Sequence, residues 1–196
     1  MAMIPTITQK KFDGKEYKDL FSLLLEQRII ILFEEITPSV ASLITAELLY
    51  LQAMDKDKPI TFYLNSPGGS VYDGLAIYDM MKKISCPIYT IGFGLVASMA
   101  AVLLSAGSKG KRFALPHTEI MIHQPLGGSS GQVSDMEIMT KRFLYLRDQL
   151  ESILVESTGQ TKEKIAADTN RDYFLNALEA KEYGLIDGVL SINPTE

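Results

Sequence analysis

The chain has 196 residues, enough for one domain with a large core, and 46% are hydrophobic against 22% charged, an ordinary globular balance. A formal net charge of -5 argues against nucleic acid as a partner, and a single cysteine, Cys86, excludes an internal disulfide and suits a reducing compartment. Residues 1–5 lead into a polar stretch with no apolar signal core, and the longest apolar run, residues 95–104, is too short for a bilayer, so the expectation is a cytoplasmic protein with no membrane partner.

Residues 10–18 are polar and expected to be mobile. Residues 17–26 predict a short helix with Phe21, Leu24 and Leu25 facing in. Residues 28–33, continuously apolar after Arg28, read as a strand buried on both faces. Thr37-Pro38 is an N-cap followed by proline in the first turn, opening a helix to about Met54 with Leu43, Leu48 and Leu51 as contacts. Residues 59–65 form the next predicted strand, broken by Ser66-Pro67-Gly68-Gly69. A helix over 72–84 and a strand over 87–91 follow. Gly92-Phe93-Gly94 reads as a turn before a helix over 98–106. Strand fragments lie at 113–115 and 119–122. Helices follow over 134–159, 162–168 and 178–183, then a last strand near Val189. Strands alternating with helices predict an α/β fold with a mainly parallel sheet.

The helix over 134–159 is too long for the body of a small domain. Its apolar positions, including Met136, Ile138, Met139, Phe143, Leu144, Leu146, Leu150, Ile153 and Leu154, run more than halfway around it. Part of its length is therefore expected to pack on another subunit.

Chemistry concentrates at two strand ends. Ser98 is expected at a strand–helix junction, where unpaired backbone N–H groups can hold a developing oxyanion. His123 ends a short apolar run and can serve as base. The only other histidine is His117, in a polar turn. Gly68-Gly69 lets the backbone approach a ligand closely, so the Gly69 and Met99 N–H groups become the candidate oxyanion donors. A carboxylate should orient the imidazole. Asp168 and Asp172 share one polar turn, and spacing favours neither. No nucleotide-binding loop and no clustered metal ligands are present.

Five segments together carry a resemblance to a known family: residues 63–69 (YLNSPGG), 97–99 (ASM), 107–113 (GSKGKRF), 121–128 (MIHQPLGG) and 182–187 (EYGLID). With them, nearly the whole chain resembles the proteolytic subunits of ATP-dependent Clp proteases, the ClpP-type serine peptidases. The resemblance implies a ClpP/crotonase-like α/β fold of stacked βαβ units with a protruding handle, over about residues 125–159, made of a strand at 127–133 and the long helix. It implies one domain over residues 19–193 behind an N-terminal axial segment, residues 1–18. It selects Asp172 as the acid of a Ser98–His123–Asp172 triad, keeps Gly69 and Met99 as the oxyanion hole, and assigns Gly68, Val71, Pro125, Leu126 and Gly127 to substrate binding. An apolar side chain at the cleaved residue is expected from Met99 and its neighbours. Two heptameric rings should stack into a tetradecamer through Gln132, Asn170 and Arg171. Tyr63, Lys83 and Phe113 should lie where an AAA+ unfoldase of the ClpX, ClpC or ClpA type docks. No cofactor is implied, since that partner uses the ATP, and the substrates would be unfolded polypeptides.

Three departures from the family pattern stand out. Lys83 replaces an aromatic at the docking position. Asn170 replaces an acid that pairs with an arginine across the rings. Leu95-Val96-Ala97 and Ala100 replace smaller or more polar residues, and no glycine follows the first strand in Phe33-Glu34-Glu35. They imply a divergent second subunit whose triad rests out of line and which works best beside a more typical ClpP paralogue. The rival readings are a structural ring subunit and a crotonase-fold enzyme of acyl-CoA substrates.

Overall fold

The computed structural model describes residues 6–11 and 14–191. Strands β1 (Thr6–Lys11) and β2 (Gly14–Asp19) pair antiparallel as a separate hairpin. Much of the segment expected to be mobile lies in it, while residues 1–5, 12–13 and 192–196 lie outside the described residues. Helix α1 (Leu20–Glu26) starts later than the sequence suggested, because Asp19 caps it by accepting from Ser22 N. Phe21, expected inside, is exposed.

The body is a seven-stranded sheet in the order β3 (Ile29–Leu32), β4 (Ile60–Ser66), β5 (Ile88–Ala97), β6 (Arg112–Ala114) and β9 (Gly188–Val189), with β7 (Glu119–Ile122) added beside β5 and β8 (Tyr173–Asn176) beyond β7. Strand β3 (Ile29–Leu32), helix α2 (Pro38–Met54), strand β4 (Ile60–Ser66), helix α3 (Val71–Lys83) and strand β5 (Ile88–Ala97) make two successive parallel βαβ units. Thr37 caps α2 through its hydroxyl, with Pro38 in the first turn. Strand β3 departs from expectation. It is an edge strand whose residues alternate half-buried and buried, so one face carries apolar side chains that the helices do not cover. Leu43, expected as a core contact of α2, is likewise exposed, whereas Leu48 and Leu51 are buried.

Helix α4 (Met99–Ser105) follows β5 and is buried at every residue, which is why its sequence is apolar all round. Strands β6 (Arg112–Ala114) and β7 (Glu119–Ile122) both pair parallel to β5: β6 takes Thr90–Gly92 and β7 takes Leu95–Ala97. Strand β5 therefore runs on through Gly92-Phe93-Gly94, where a turn was expected. The glycine signal survives as a bulge, with Gly94 at φ 64° where the register with β4 shifts, while the two successive partners continue the strand past it.

Helix α5 (Val133–Thr158) spans 26 residues, roughly 39 Å at about 1.5 Å per residue. The preceding residues 123–132 form no strand, so the extended piece of the expected handle is irregular here. Helix α6 (Lys162–Asp168), strand β8 (Tyr173–Asn176), helix α7 (Ala177–Tyr183) and strand β9 (Gly188–Val189) complete the chain. Asn176 and Glu179 form a reciprocal capping box at the start of α7. The core lies between the sheet and α2–α5, with Phe62, Ile30, Leu48, Leu64, Leu103 and Leu104 fully buried.

Candidate active site

Ser98 sits between β5 and α4. Its N–H donates to Met121 O at 2.8 Å, extending the β5–β7 ladder by one rung, while its C=O accepts from Ala101 and Val102 and starts the helix. Satisfying both neighbours forces φ 57° and ψ -126° on a non-glycine residue. Such a backbone is strained and recurs at functional sites. The hydroxyl is left half-buried at the carboxyl end of the sheet, free to face His123.

His123 follows β7 directly. Its Nε2 is 2.9 Å from Ser98 Oγ and its Nδ1 is 2.9 Å from Asp172 Oδ1. A carboxylate can only accept, so Nδ1 carries the proton and Nε2 presents its lone pair to the serine hydroxyl. The His123 side chain is only 12% exposed while that of Asp172 is 59% exposed, so the buried base is reached by an acid at the solvent edge.

Strand β8 decides between the two aspartates. It pairs antiparallel with β7, with Ile122 opposite Tyr173, which sets the next residues outward, His123 and Asp172, side by side. Asp168 is used elsewhere: it accepts from Lys164 Nζ at 2.8 Å and from Tyr183 Oη at 2.7 Å. Burial pushes the Asp168 carboxyl up, but these two bonds outweigh it and hold it below the ordinary range. Burial first, and then the hydrogen bond to Asp168 and its charge, push the Tyr183 hydroxyl up. His117 is exposed in the turn between β6 and β7, away from this line.

The resting misalignment expected from Asn170 is not the arrangement here. The turn before Asp172 is tied to the His123 segment by Gln124, whose backbone N–H donates to Thr169 O at 2.7 Å and whose Nε2 donates to Asn170 O at 2.9 Å. Nothing in the sequence singled out Gln124; its place becomes visible only once β8 brings the two segments together.

The loop after β4 closes on the serine. The register slips between Leu64 and Ser66, and Asn65 Oδ1 accepts from Leu95 N at 3.2 Å across the irregularity. Ser66 Oγ donates to Glu34 O at 2.6 Å and accepts from Gly68 N at 3.1 Å. A Cβ at Gly68 (φ +95°) would lie 2.6 Å from Ser98 Cβ, and one at Gly69 (φ +148°) would lie 2.4 Å from Ile36 O. Neither position has room or a suitable backbone for a side chain. Among the described residues, neither Gly69 N–H nor Met99 N–H has a protein acceptor, so both donors remain available beside Ser98.

A cavity of about 630 Å³ opens here. Met99, Val102, Ile122, Leu150 and Leu154 line it together with Gly68, Val71, Pro125, Leu126 and Glu35. Gly127 is not part of this wall; it lies under the Phe143 ring, which a Cβ there would meet at 2.6 Å. Glu35 is a wall residue that the sequence did not single out for this role. Its only prior mark was the lack of a glycine after the first strand.

A family model described as Clp protease matches residues 12–193. The chain belongs to the Clp protease family. The match spans the α/β body as well as the serine, histidine and aspartate just described, in keeping with the mixed strand and helix arrangement of that family.

The remaining positions singled out in this Clp protease family member are spread over its surface. Tyr63, Ile91 and Phe113 stand opposite one another on β4, β5 and β6, so one apolar row crosses the sheet face opposite the buried row Phe62–Thr90–Arg112. Tyr63 packs against Phe93, and Phe113 stacks on Tyr89. Lys83 does not join them within one chain; it borders a shallow depression with Ala76, Asp79, Met80 and Lys82 on α3. Gln132 precedes α5 without a side-chain cap bond. Asn170 and Arg171 are exposed, with Arg171 Nη1 donating to Asn170 O at 3.1 Å. Among the described residues, no group of three or more His, Cys, Asp or Glu is arranged to hold a metal, and no helix is long and apolar enough to cross a membrane.

Proposed function

We propose that this member of the Clp protease family is a serine endopeptidase that cleaves unfolded polypeptides inside a two-ring chamber. The observation that carries the reading is the hydrogen-bonded line Ser98–His123–Asp172 beside the unpaired Gly69 and Met99 N–H groups. Ser98 Oγ attacks the peptide carbonyl as His123 Nε2 takes its proton, and Asp172 stabilises the imidazolium. The Gly69 and Met99 N–H groups hold the oxyanion. His123 then protonates the leaving amine and activates the water that hydrolyses the acyl-enzyme. No cofactor enters these steps.

Assembly into heptameric rings and a tetradecamer is supported by the unpartnered apolar face of α5, where Ile138, Met139 and Leu144 are exposed. An AAA+ unfoldase of the ClpX, ClpC or ClpA type would dock over the Tyr63–Phe113 row and thread substrates in. Lys83 places a cation where an apolar docking loop would sit, which disfavours that contact. The neutral Asn170 lacks the charge for an ion pair across the rings through Arg171. Both support a subunit that works best beside a more typical ClpP paralogue, and the single cysteine, Cys86, suits a cytoplasmic setting for it.

The test is hydrolysis of a small fluorogenic peptide by the purified protein and by Ser98→Ala, with particle mass recorded on the same samples. Turnover by a fourteen-subunit particle, reduced at least about a thousandfold in S98A, is expected. A well-formed particle that stays inactive with a second ClpP-type subunit present, and whose Ser98 resists a fluorophosphonate probe, would overturn the reading.

A further inference from the structure

Glu35 gives the cavity beside Ser98 a chemistry that its other walls lack. The residue lies just past the edge strand β3. Its neighbour Ile36 is held against the glycine loop by Ile36 N donating to Gly68 O at 2.7 Å and by Ser70 N donating to Ile36 O at 2.9 Å. The Glu35 backbone is therefore fixed beside the candidate oxyanion donor Gly69, and Glu35, an exposed residue, is one of those that line the cavity. The rest of that wall is apolar or neutral, apart from the titratable His123: Val71, Met99, Val102, Ile122, Leu150 and Leu154 provide hydrocarbon, and Ser70 and Ser98 provide hydroxyls. Among the described residues no lysine, arginine or histidine lies within ion-pair distance of the Glu35 carboxylate. It is an unpaired anion at the mouth of an apolar cleft.

We propose that Glu35 makes this cleft select peptides that place a lysine or arginine side chain in it next to the scissile bond. The inference rests on the serine-peptidase reading and names the substrate class of that site. A long basic side chain fits the two-part wall: its methylene stem lies along the Val71, Met99 and Leu154 surface while its cationic tip reaches the rim carboxylate. The purely apolar preference expected from Met99 alone takes no account of this rim. An acidic side chain in the same place would meet a like charge in a partly desolvated site and is rejected.

The experiment uses three fluorogenic peptides identical except for lysine, glutamine or glutamate at the cleaved residue. They are assayed with the assembled wild-type protein, Glu35→Gln and Glu35→Lys, with fluorophosphonate labelling of Ser98 recorded for each. The same peptides are titrated calorimetrically into Ser98→Ala and into Ser98→Ala combined with Glu35→Gln, which reads the carboxylate without turnover. The expected result is a lysine-to-glutamine ratio in kcat/KM of about two- to fivefold, the scale of one partly exposed ion pair. That ratio should fall to about one in E35Q, and in E35K the preference should reverse toward glutamate. Calorimetric affinities should follow the same ratios, and added salt should weaken only the charged peptides. A lysine-to-glutamine ratio unchanged by E35Q, in turnover or in calorimetry, overturns the inference. Charge-selective binding without hydrolysis or labelling would instead uphold it while removing the peptidase reading.

Discussion

The two halves of α5 have similar apolar content and opposite surroundings. From Leu146 onward the helix lies on the core, with Leu146, Leu150 and Leu154 buried, and the last two also wall the cavity. Before Leu146, Val133, Ile138, Leu144 and Tyr145 are exposed. A polar clamp ties this first half to the body: Arg142 Nε donates to Tyr72 Oη at 2.6 Å, and the guanidinium lies over the Tyr72 and Tyr145 rings. One continuous helix thus contains a stretch stabilised by its own chain and a stretch whose apolar side chains need another surface. Hydrophobic pattern reports that a face is apolar; only the tertiary arrangement reports whether the same chain covers it.

The sharpest way to break that comparison is to change one apolar side chain in each half. Leu154→Ala should cost about 2–5 kcal/mol of unfolding free energy, because it leaves a cavity in packed surroundings. Ile138→Asp should lower the mass of the assembled particle while leaving the stability of the dissociated chain within about 0.5 kcal/mol. Denaturant titrations and light scattering read the two effects separately, and equal stability losses in both halves would erase the distinction. A smaller effect is expected from Arg142→Ala. Loss of the exposed Tyr72 contact should cost about 1 kcal/mol and raise amide exchange in the first half of α5 before the second.

The smallest expected effect is a pH dependence confined to the packed end. Arg112 donates to Asp187 through Nε at 3.0 Å and Nη2 at 2.6 Å, and to Ser157 O in the last turn of α5 through Nη1 at 2.8 Å. Burial pushes the Asp187 carboxyl up, but its bonds to Arg112 and the guanidinium charge outweigh that and hold it below its ordinary value. A carboxyl depressed in the folded state stabilises fully above its unfolded value, near about 4, and loses that contribution as pH falls through the lower folded value. Urea midpoints of the wild type should decline more steeply below about pH 4 than those of Asp187→Asn, while amide exchange around Ile138 should show no matching change.

Much of the site was legible because its chemistry is sparse. With only two histidines in the chain and one of them at a strand end, the candidate base could be named, and Ser98 stood at the start of an apolar run. The acid could not be chosen from spacing, because the choice depends on β8. Its residues Tyr173-Phe174-Leu175-Asn176 bury only Leu175 and so give no alternating signal. Strand β5 was cut short because glycines at 92 and 94 resemble breakers; Gly94 does take a left-handed φ of 64° at a bulge against β4, but pairing with β6 before it and β7 after it carries the strand across. Phe21 and Leu43 read as core from helical periodicity and are exposed, the same ambiguity that α5 displays along its length. Glu35 escaped attention because a carboxylate after a strand has no distinguishing pattern until the loop at Gly68 folds back against it.

The backbone at Ser98 carries a consequence for the history of this chain. A residue at φ 57°, ψ -126° is held there at about 1–3 kcal/mol, a burden that glycine would largely relieve. Ser98→Gly should therefore melt at a higher temperature than Ser98→Ala, although both lack the hydroxyl. A lineage keeping this junction merely as a joint between strand and helix would gain from drifting to glycine. On the serine-peptidase reading proposed above, a side chain here is the mark of selection for reactivity, bought against the thermal endurance of the fold.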